Sequence, residues 1–333
     1  MQPVAIFDVS IVVVSYNTRD LTVACLDSIA AETRSCRYAV HVVDNASSDG
    51  SPEALSAHRF CDGFIASPEN FGFARANNLA ARSATGEFIL LLNPDTVVLD
   101  GAIDRLVAFA RDNPAAGIWG GRTLFADGTL NPSSCWGRMT IWNLACRAAG
   151  LTGIWPNAGL FNGEAYGGWQ RDTVAKVDIV SGCFLLIRRT LWEQLGGFDP
   201  AFFMYGEEAD LCLRATKLGA TPMITPAVQI IHLGGASERT RSAKMLKLLA
   251  AKSILIRRHW SPVLQPLGLA LMAAWPLSRW LALSAVAALW PSPARHEAAA
   301  VWRILWVQRK NWLAGYANRE QEFAIPALAS INH

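Results

Sequence analysis

Short, continuously apolar runs rich in β-branched residues alternate with stretches of helical period through the first part of the chain. Ser10 to Val14, Val40 to Val43 and Phe88 to Leu92 read as strands, while Leu21 to Ala31 and the residues after Pro52 read as helices. A strand–helix–strand rhythm builds a parallel sheet, and strands without polar alternation belong in a sheet covered on both faces. Each strand runs out into polar residues: Ser15-Tyr16-Asn17, Asp44-Asn45 and Asn93-Pro94-Asp95. Ligands of open α/β sheets bind outside such carboxyl ends. Further on, Lys176 to Arg188 reads as a strand pair around Ser181-Gly182, Glu207 to Leu218 as a helix, and Val228 to Ile231 as a last strand delivering His232.

Two stretches break the rhythm. From Asp127 to Gln170 the pattern dissolves into Gly, Trp, Asn and Pro, and so long a loop-rich segment points to a binding lid, where acceptor contacts are expected. Beyond Gly235, Lys244, Lys247, Lys252, Arg257 and Arg258 interleave with apolar residues as in a basic amphipathic helix. Residues 263–290 are almost wholly apolar, yet Pro266, Pro276 and Arg279 divide the run into pieces shorter than the roughly 20 residues that span a bilayer. Re-entrant or interfacial helices are expected there, with a soluble helical hairpin as the alternative. The reading is therefore a catalytic domain over residues 1–235 and a helical, membrane-associated appendage over 236–333.

Charge and composition sharpen that division. Residues 236–333 hold 13 Lys and Arg against 4 Asp and Glu, and the remainder holds 17 against 23. Seven of the thirteen tryptophans fall in the basic part, beside Arg303, Arg309 and Lys310, a mixture suited to lipid headgroups. Broken apolar runs serve lipid better than a phosphate ladder, so no nucleic-acid partner is expected. A chain of 333 residues, 52% hydrophobic, buries a large core and is not disordered. Its seven cysteines show no C-x-x-C spacing and read as reduced structural thiols. The N-terminus carries Asp8 and no basic region before its first apolar run, so a cytoplasmic chain without a cleaved signal is expected. No G-x-G-x-x-G follows the first strand and no G-K-[ST] is present, which argues against dinucleotide and P-loop enzymes.

The strand ends carry candidate chemistry. Asp44 is placed to accept from a base N–H or a ribose hydroxyl, and Asp95 to ligate Mg2+ or Mn2+, hard ions suited to oxygen. Both segments also make good turns and helix caps on their own terms. Taken together in one βα scaffold, they favour a nucleoside diphosphate and a cation that neutralises it.

The ordered set of motifs closely resembles family 2 of the nucleotide-sugar glycosyltransferases, of GT-A-type fold, and its bacterial rhamnosyltransferase-like members in particular. The resemblance runs from about Val9 to Gly235. It is carried by Val14 to Asn17, Val43 to Gly50, Asn70 to Ala74 with Asn77-Asn78, Leu92 to Asp95, Ser181-Gly182 and Gly197 to Asp199. Glu207 to Leu211 with Arg214, and His232 followed by Gly234-Gly235, complete the set. The resemblance implies nucleotide-sugar contacts at Ser15, Tyr16, Asn17, Asp44, Asn45, Asn78, Asn93, Ser181 and Gly182, and a donor-site wall at Asn70, Phe71, Gly72 and Phe73. It implies Asp95 as a metal carboxylate and contact to the nucleotide sugar, and His232 as a second metal ligand. The acceptor hydroxyl would be deprotonated by Glu208, preceded by Glu207, where the family usually carries Asp.

The activity so implied is inverting, Mn2+- or Mg2+-dependent transfer of a sugar, rhamnose from dTDP-rhamnose first and UDP-sugars next, onto a lipid-linked saccharide or glycolipid. The setting is cell-surface polysaccharide synthesis at the cytoplasmic face of the inner membrane, with the chain peripheral or monotopic and free to form a homo-oligomer. The competing reading, suggested by Glu at the base position, is an inactive sugar-nucleotide-binding or scaffold protein of a glycan assembly complex.

Overall fold

The computed structural model describes residues 7–234 and 240–316. The expected boundary at residue 235 and the tail beyond residue 316 lie outside the described residues. By compactness the chain divides into two units. One takes the described residues of Met1–Met139, Pro156–Phe203 and Glu207–Ser237; the other takes those of Thr140–Trp155, Met204–Gly206 and Glu238–His333.

The strands are β1 (Val9–Ser15), β2 (Tyr38–Asp44), β3 (Gly63–Ala66), β4 (Phe88–Leu92), β5 (Thr96–Val98) and β6 (Ile118–Leu124), then β7 (Cys135–Trp136), β8 (Ala175–Lys176), β9 (Ile179–Val180), β10 (Phe184–Arg188) and β11 (Met223–His232). The main sheet runs β3-β2-β1-β4-β10-β6-β11-β5, with β8 paired to β11, and β7 and β9 form a separate ribbon. Pairings among β1, β2, β3 and β4 and between β6 and β11 are parallel; those of β10 with both neighbours, of β5 and of β8 are antiparallel. The sheet is therefore mixed, flanked by helices.

In the first unit these helices are α1 (Arg19–Glu32), α2 (Ser51–Ser56), α3 (Gly72–Ala81) and α4 (Ala102–Asp112). Every residue of β1 and of β4 is buried, which explains their unbroken apolar sequence. Ile11, Val13, Leu26, Ile29, Leu90, Leu106 and Leu186 form the core with Trp119, whose ring meets Phe88 edge-on at 5.6 Å. Two registers set the working edge: Ser15 lies level with Asp44, and Val13 with Leu92. Because β10 runs antiparallel with Phe184 opposite Leu92, its start reaches the edge where β4 ends.

The sequence pattern misread two places. The Asp127–Gln170 stretch, read as loop, contains α5 (Ile141–Ala149) and α6 (Leu151–Ile154) of the second unit. Thr140 caps α5 by accepting from the Asn143 N–H at 3.1 Å, Gly150 closes it in a left-handed conformation, and Leu144 and Cys146 are buried. That apolar stripe is too short to stand out among the tryptophans. After α7 (Arg189–Leu195) and α8 (Glu207–Lys217) of the first unit, the second unit continues with α9 (Arg241–His259), α10 (Gln265–Leu289), α11 (Pro293–Val307) and α12 (Arg309–Ala314).

The Pro-cut run is thus one helix, α10, and not short pieces. Pro266 sits in its first turn, where an N–H has no helical partner to lose. Pro276 removes an interior bond, but it and Trp275 are buried where α10 packs on α5 and α11. The Ser278 hydroxyl fastens α10 further by donating to the Ala148 carbonyl at 2.6 Å. By length and composition α10 suffices to cross a membrane, and Leu281, Leu289 and Trp290 near its end are exposed.

Candidate active site

All the residues expected to carry nucleotide-sugar, metal or catalytic chemistry fall in the first unit. At the end of β2, Asp44 is 1% exposed; one carboxylate oxygen accepts from the Ser47 N–H at 2.9 Å, and the other, Oδ1, is buried with no partner. A buried acceptor costs about 1–3 kcal/mol when unsatisfied, so Oδ1 is a position where a ligand donor would be favoured. Asn17, with φ of +52°, accepts from the Ser48 N–H at 2.8 Å and ties the exit of β1 to that of β2. Tyr16 beside it is half-buried. Ser15 is fully buried and its hydroxyl is engaged with Thr18 and Thr22, both at 3.2 Å, so its side chain faces the protein.

The Asn70–Phe73 loop is held by Asn45. The Asn45 amide donates to Asn70 Oδ1 at 2.8 Å and accepts from the Phe71 N–H at 2.9 Å. Gly72 opens α3 at φ +76°, and a Cβ there would lie 2.4 Å from the Phe203 carbonyl oxygen. Gly72→Ala should therefore destabilise the chain by about 2 kcal/mol or more, read as a lower thermal midpoint, with weakened donor binding. An unchanged midpoint would show that the loop yields freely. Asn78 is occupied in the same structural manner, gripping the Phe198 N–H and C=O at 2.9 and 2.8 Å. Asn45 and Asn78 thus hold the Asn70–Phe73 loop and Phe198, with their amides engaged by protein.

At the far side of the edge, pairing of His232 with Thr96 in the β11–β5 ladder brings His232 beside Asp95. His232 Nε2 lies 3.3 Å from Asp95 Oδ1 and 3.2 Å from the Asn93 amide nitrogen, and its Nδ1 lies 3.5 Å from the Ser133 hydroxyl. Burial alone would raise the Asp95 pKa, but hydrogen bonding and the charge of His232 outweigh it and hold the carboxyl below its usual range. Burial likewise works against protonated His232, and Cys183 and Asp95 overcome it to lift the imidazole to about 10. Asn93 Oδ1 is buried without a partner next to this pair. No cluster of three His, Cys, Asp or Glu occurs among the described residues. A carboxylate and an imidazole are a donor pair that would fit a divalent cation, with Mn2+ accepting the imidazole more readily than Mg2+.

Ser181-Gly182 joins the two halves of the edge. A Cβ on Gly182 would sit 3.4 Å from the Phe73 ring and 3.6 Å from Glu208 Cβ. The contacts run from Asp44 through Asn45 to the Asn70–Phe73 loop, and across Gly182 to Glu208. They continue from Cys183, whose carbonyl accepts the Asn93 N–H at 3.0 Å, to His232 and Asp95. Glu208 is half-buried at the N-terminal end of α8, and Glu207 is 4% exposed with Oε2 unpartnered. Burial first, and the neighbouring Glu208 charge second, push the Glu207 carboxyl well above its usual range.

Across the window between the ordinary and the raised value, folded Glu207 keeps a proton that the unfolded chain has lost. Stability therefore falls as pH rises through that window. Glu207→Gln, which cannot ionise, should melt higher than the unmodified chain at pH 8, by the order of 2–4 °C, and nearly alike at pH 5. An equal gain at both pH values would place the cause elsewhere.

Ser133, Asn131 and Cys183 escaped the sequence reading. Asn131 donates to the His232 carbonyl at 3.1 Å and accepts from the Ser133 N–H at 3.1 Å, so a short turn buttresses His232. Only their place in a polar loop before a strand could have signalled this. The other cysteines are free, and burial pushes the Cys25 and Cys212 thiols to about 12, which keeps them inert.

The chain is similar to known proteins in sequence and in fold. The family model described as Glycosyl transferase family 2 matches residues 10–195. The chain is 31% identical over 242 residues to the O-antigen biosynthesis protein RfbC of Myxococcus xanthus, covering 69% of this chain and 18% of that protein. It is 28% identical over 207 residues to the N-acetylglucosaminyl-diphospho-decaprenol L-rhamnosyltransferase of Mycobacterium tuberculosis, covering 58% of this chain and 66% of the relative. With Rhamnosyltransferase WbbL of Escherichia coli it shares 26% over 274 residues, covering 77% and 97%. The chain thus spans less than a fifth of RfbC and about two thirds of the mycobacterial relative. In fold it is similar to the mannosyltransferase PcManGT from Pyrobaculum calidifontis in complex with GDP-Man and Mn2+, with TM-score 0.55, 21% identity and 92% and 85% coverage. The mixed sheet, its flanking helices and its polar edge are those of a GT-A-type domain, and the chain belongs to glycosyl transferase family 2.

Proposed function

We propose that the chain transfers a sugar, with inversion, from a nucleoside diphosphate donor to a hydroxyl of a lipid-linked saccharide. The observation that carries this reading is the linkage of Asp44, the Asp95–His232 pair and Glu208 along one sheet edge. The nucleotide-sugar domain is the part up to residue 235. In it, Asp44 Oδ1 accepts from the base or ribose, and the Asn70–Phe73 loop walls the donor.

Asp95 and His232 would hold a divalent cation, which supplies charge to stabilise the departing diphosphate. Glu208 takes the proton of the acceptor hydroxyl as that oxygen attacks the anomeric carbon opposite the leaving group. One displacement needs no covalent sugar intermediate, so the anomeric configuration inverts. Burial and the Glu208 charge push the Glu207 carboxyl well above its usual range, which favours placing the negative charge of the acidic pair on Glu208.

The relatives' names favour rhamnose as the sugar and a diphosphate-linked polyprenol saccharide as the acceptor. dTDP-rhamnose is therefore the first donor to test and a UDP-sugar the second. The Trp-rich second unit, with its exposed apolar side chains, favours a membrane surface as the place of work, peripheral or monotopic on the cytoplasmic face of the inner membrane. The test is nucleoside diphosphate release by the full chain with Mn2+, a panel of nucleotide sugars and a lipid-linked saccharide. Acceptor-dependent release from dTDP-rhamnose is expected. Donor binding without release from any sugar nucleotide would favour the scaffold reading.

A further inference from the structure

Among the described residues of the second unit, twelve Lys and Arg face a single acid, Glu297. Three of these cations, Arg147 of α5, Arg241 at the start of α9 and Arg279 of α10, line one cleft of about 280 Å3. Its other walls include Trp275, Trp302 and Met245, and none of the described residues lining it is acidic.

Two of the cations are set in place by packing. The Arg147 guanidinium stacks 4.8 Å over the Trp275 ring, which packs on Trp302 at 5.5 Å. Arg279 donates to the Arg147 carbonyl at 3.3 Å, across a glycine: a Cβ on Gly150 would lie 2.9 Å from Arg279 Nη1. Burial first, and the Arg147 charge second, hold the Arg279 guanidinium below its ordinary range, as expected of two like charges brought together.

A structural role explains part of this, since Arg279 satisfies a carbonyl in the last turn of α5. It does not explain a third arginine on the same cleft. Guanidinium groups match phosphate oxygens in charge and in planar donor geometry. The tryptophan and methionine walls match hydrocarbon. The volume is at the small end for ligand sites, enough for a phosphate or diphosphate and the first few carbons attached to it.

We propose that this cleft binds the phosphate ester head of an amphiphile, with phosphate oxygens on Arg147, Arg241 and Arg279 and the start of the apolar chain along Trp275 and Trp302. Two sources share that chemistry: the diphosphate of a polyprenyl-linked acceptor and the headgroup of a bulk anionic phospholipid. The site goes beyond the transfer reaction and stands without it, because it is read from the second unit alone.

The test is binding of farnesyl diphosphate to the full chain by calorimetry. Saturable binding is expected, at least about tenfold tighter than inorganic pyrophosphate, with farnesol silent. Arg241→Gln and Arg279→Gln should each weaken it about tenfold or more. Arg241 is exposed, so its variant keeps the test sound if Arg279→Gln fails to fold. Glu208→Gln, idle in transfer, should bind farnesyl diphosphate as the unmodified chain does, which separates this site from the transfer reading. Phosphatidylcholine vesicles carrying either a polyprenyl diphosphate or phosphatidylglycerol then identify the source, through the one whose binding depends on Arg241. Folded arginine variants that bind farnesyl diphosphate as tightly as the unmodified chain would overturn the proposal, as would equal binding of farnesol.

Discussion

Glu208→Gln should lower kcat about 10²- to 10⁴-fold while leaving donor KM within a few-fold. The substitution keeps the size and a hydrogen-bonding oxygen but removes the basicity that the attacking hydroxyl needs. Glu208 stands beside Gly182 at the start of a helix, half-buried, and Gln matches it in size. Glu207 is a poor substitute, because it is buried and its carboxyl is pushed well above its usual range. The measurement is steady-state transfer with donor and acceptor each varied. A variant with full kcat would remove Glu208 from the reaction and leave the family's base unidentified in this chain.

Asp95→Ala is expected to lower kcat/KM about 10²- to 10³-fold and to raise the Mn2+ concentration needed for half-maximal turnover. It removes the carboxylate of the pair while leaving the His232 turn, fixed by Asn131 and Ser133, in place. The expected signature is a loss that excess Mn2+ restores only in part. Transfer that proceeds unchanged in a chelator, before and after the substitution, would place the cation outside the chemistry.

The sequence disclosed the parts of the domain that burial dictates. β1 and β4 are covered on both faces, so their apolar runs are unbroken and their polar exits, Asp44 and Asn93 to Asp95, stand out. The edge strand β3 is only half-buried and begins at Gly63, so nothing in its composition marked it. Neither could the sequence say that β10 enters antiparallel, although this brings Gly182 and Cys183 to the edge and lets Glu208 approach Phe73.

Side-chain direction was legible least. Ser15, Asn45 and Asn78 lie within motifs that resemblance assigned to the donor, yet their polar atoms engage Thr18, the Asn70 loop and Phe198. A strand end alternates its side chains between faces, and a one-residue shift reverses the assignment. α10 illustrates tertiary packing overriding local propensity. Pro276 reads as a break, and the helix continues because its buried face is held by α5 and α11.

The most direct measurement is a crystal structure of the full chain with nucleoside diphosphate and Mn2+, with the metal located by its anomalous signal. The expected result is one Mn2+ held by Asp95 and His232, with a base or ribose donor on Asp44 Oδ1 and Glu208 facing the sugar side of the site. A nucleotide bound away from Asp44, or Mn2+ that leaves Asp95 and His232 in contact only with each other, would contradict it.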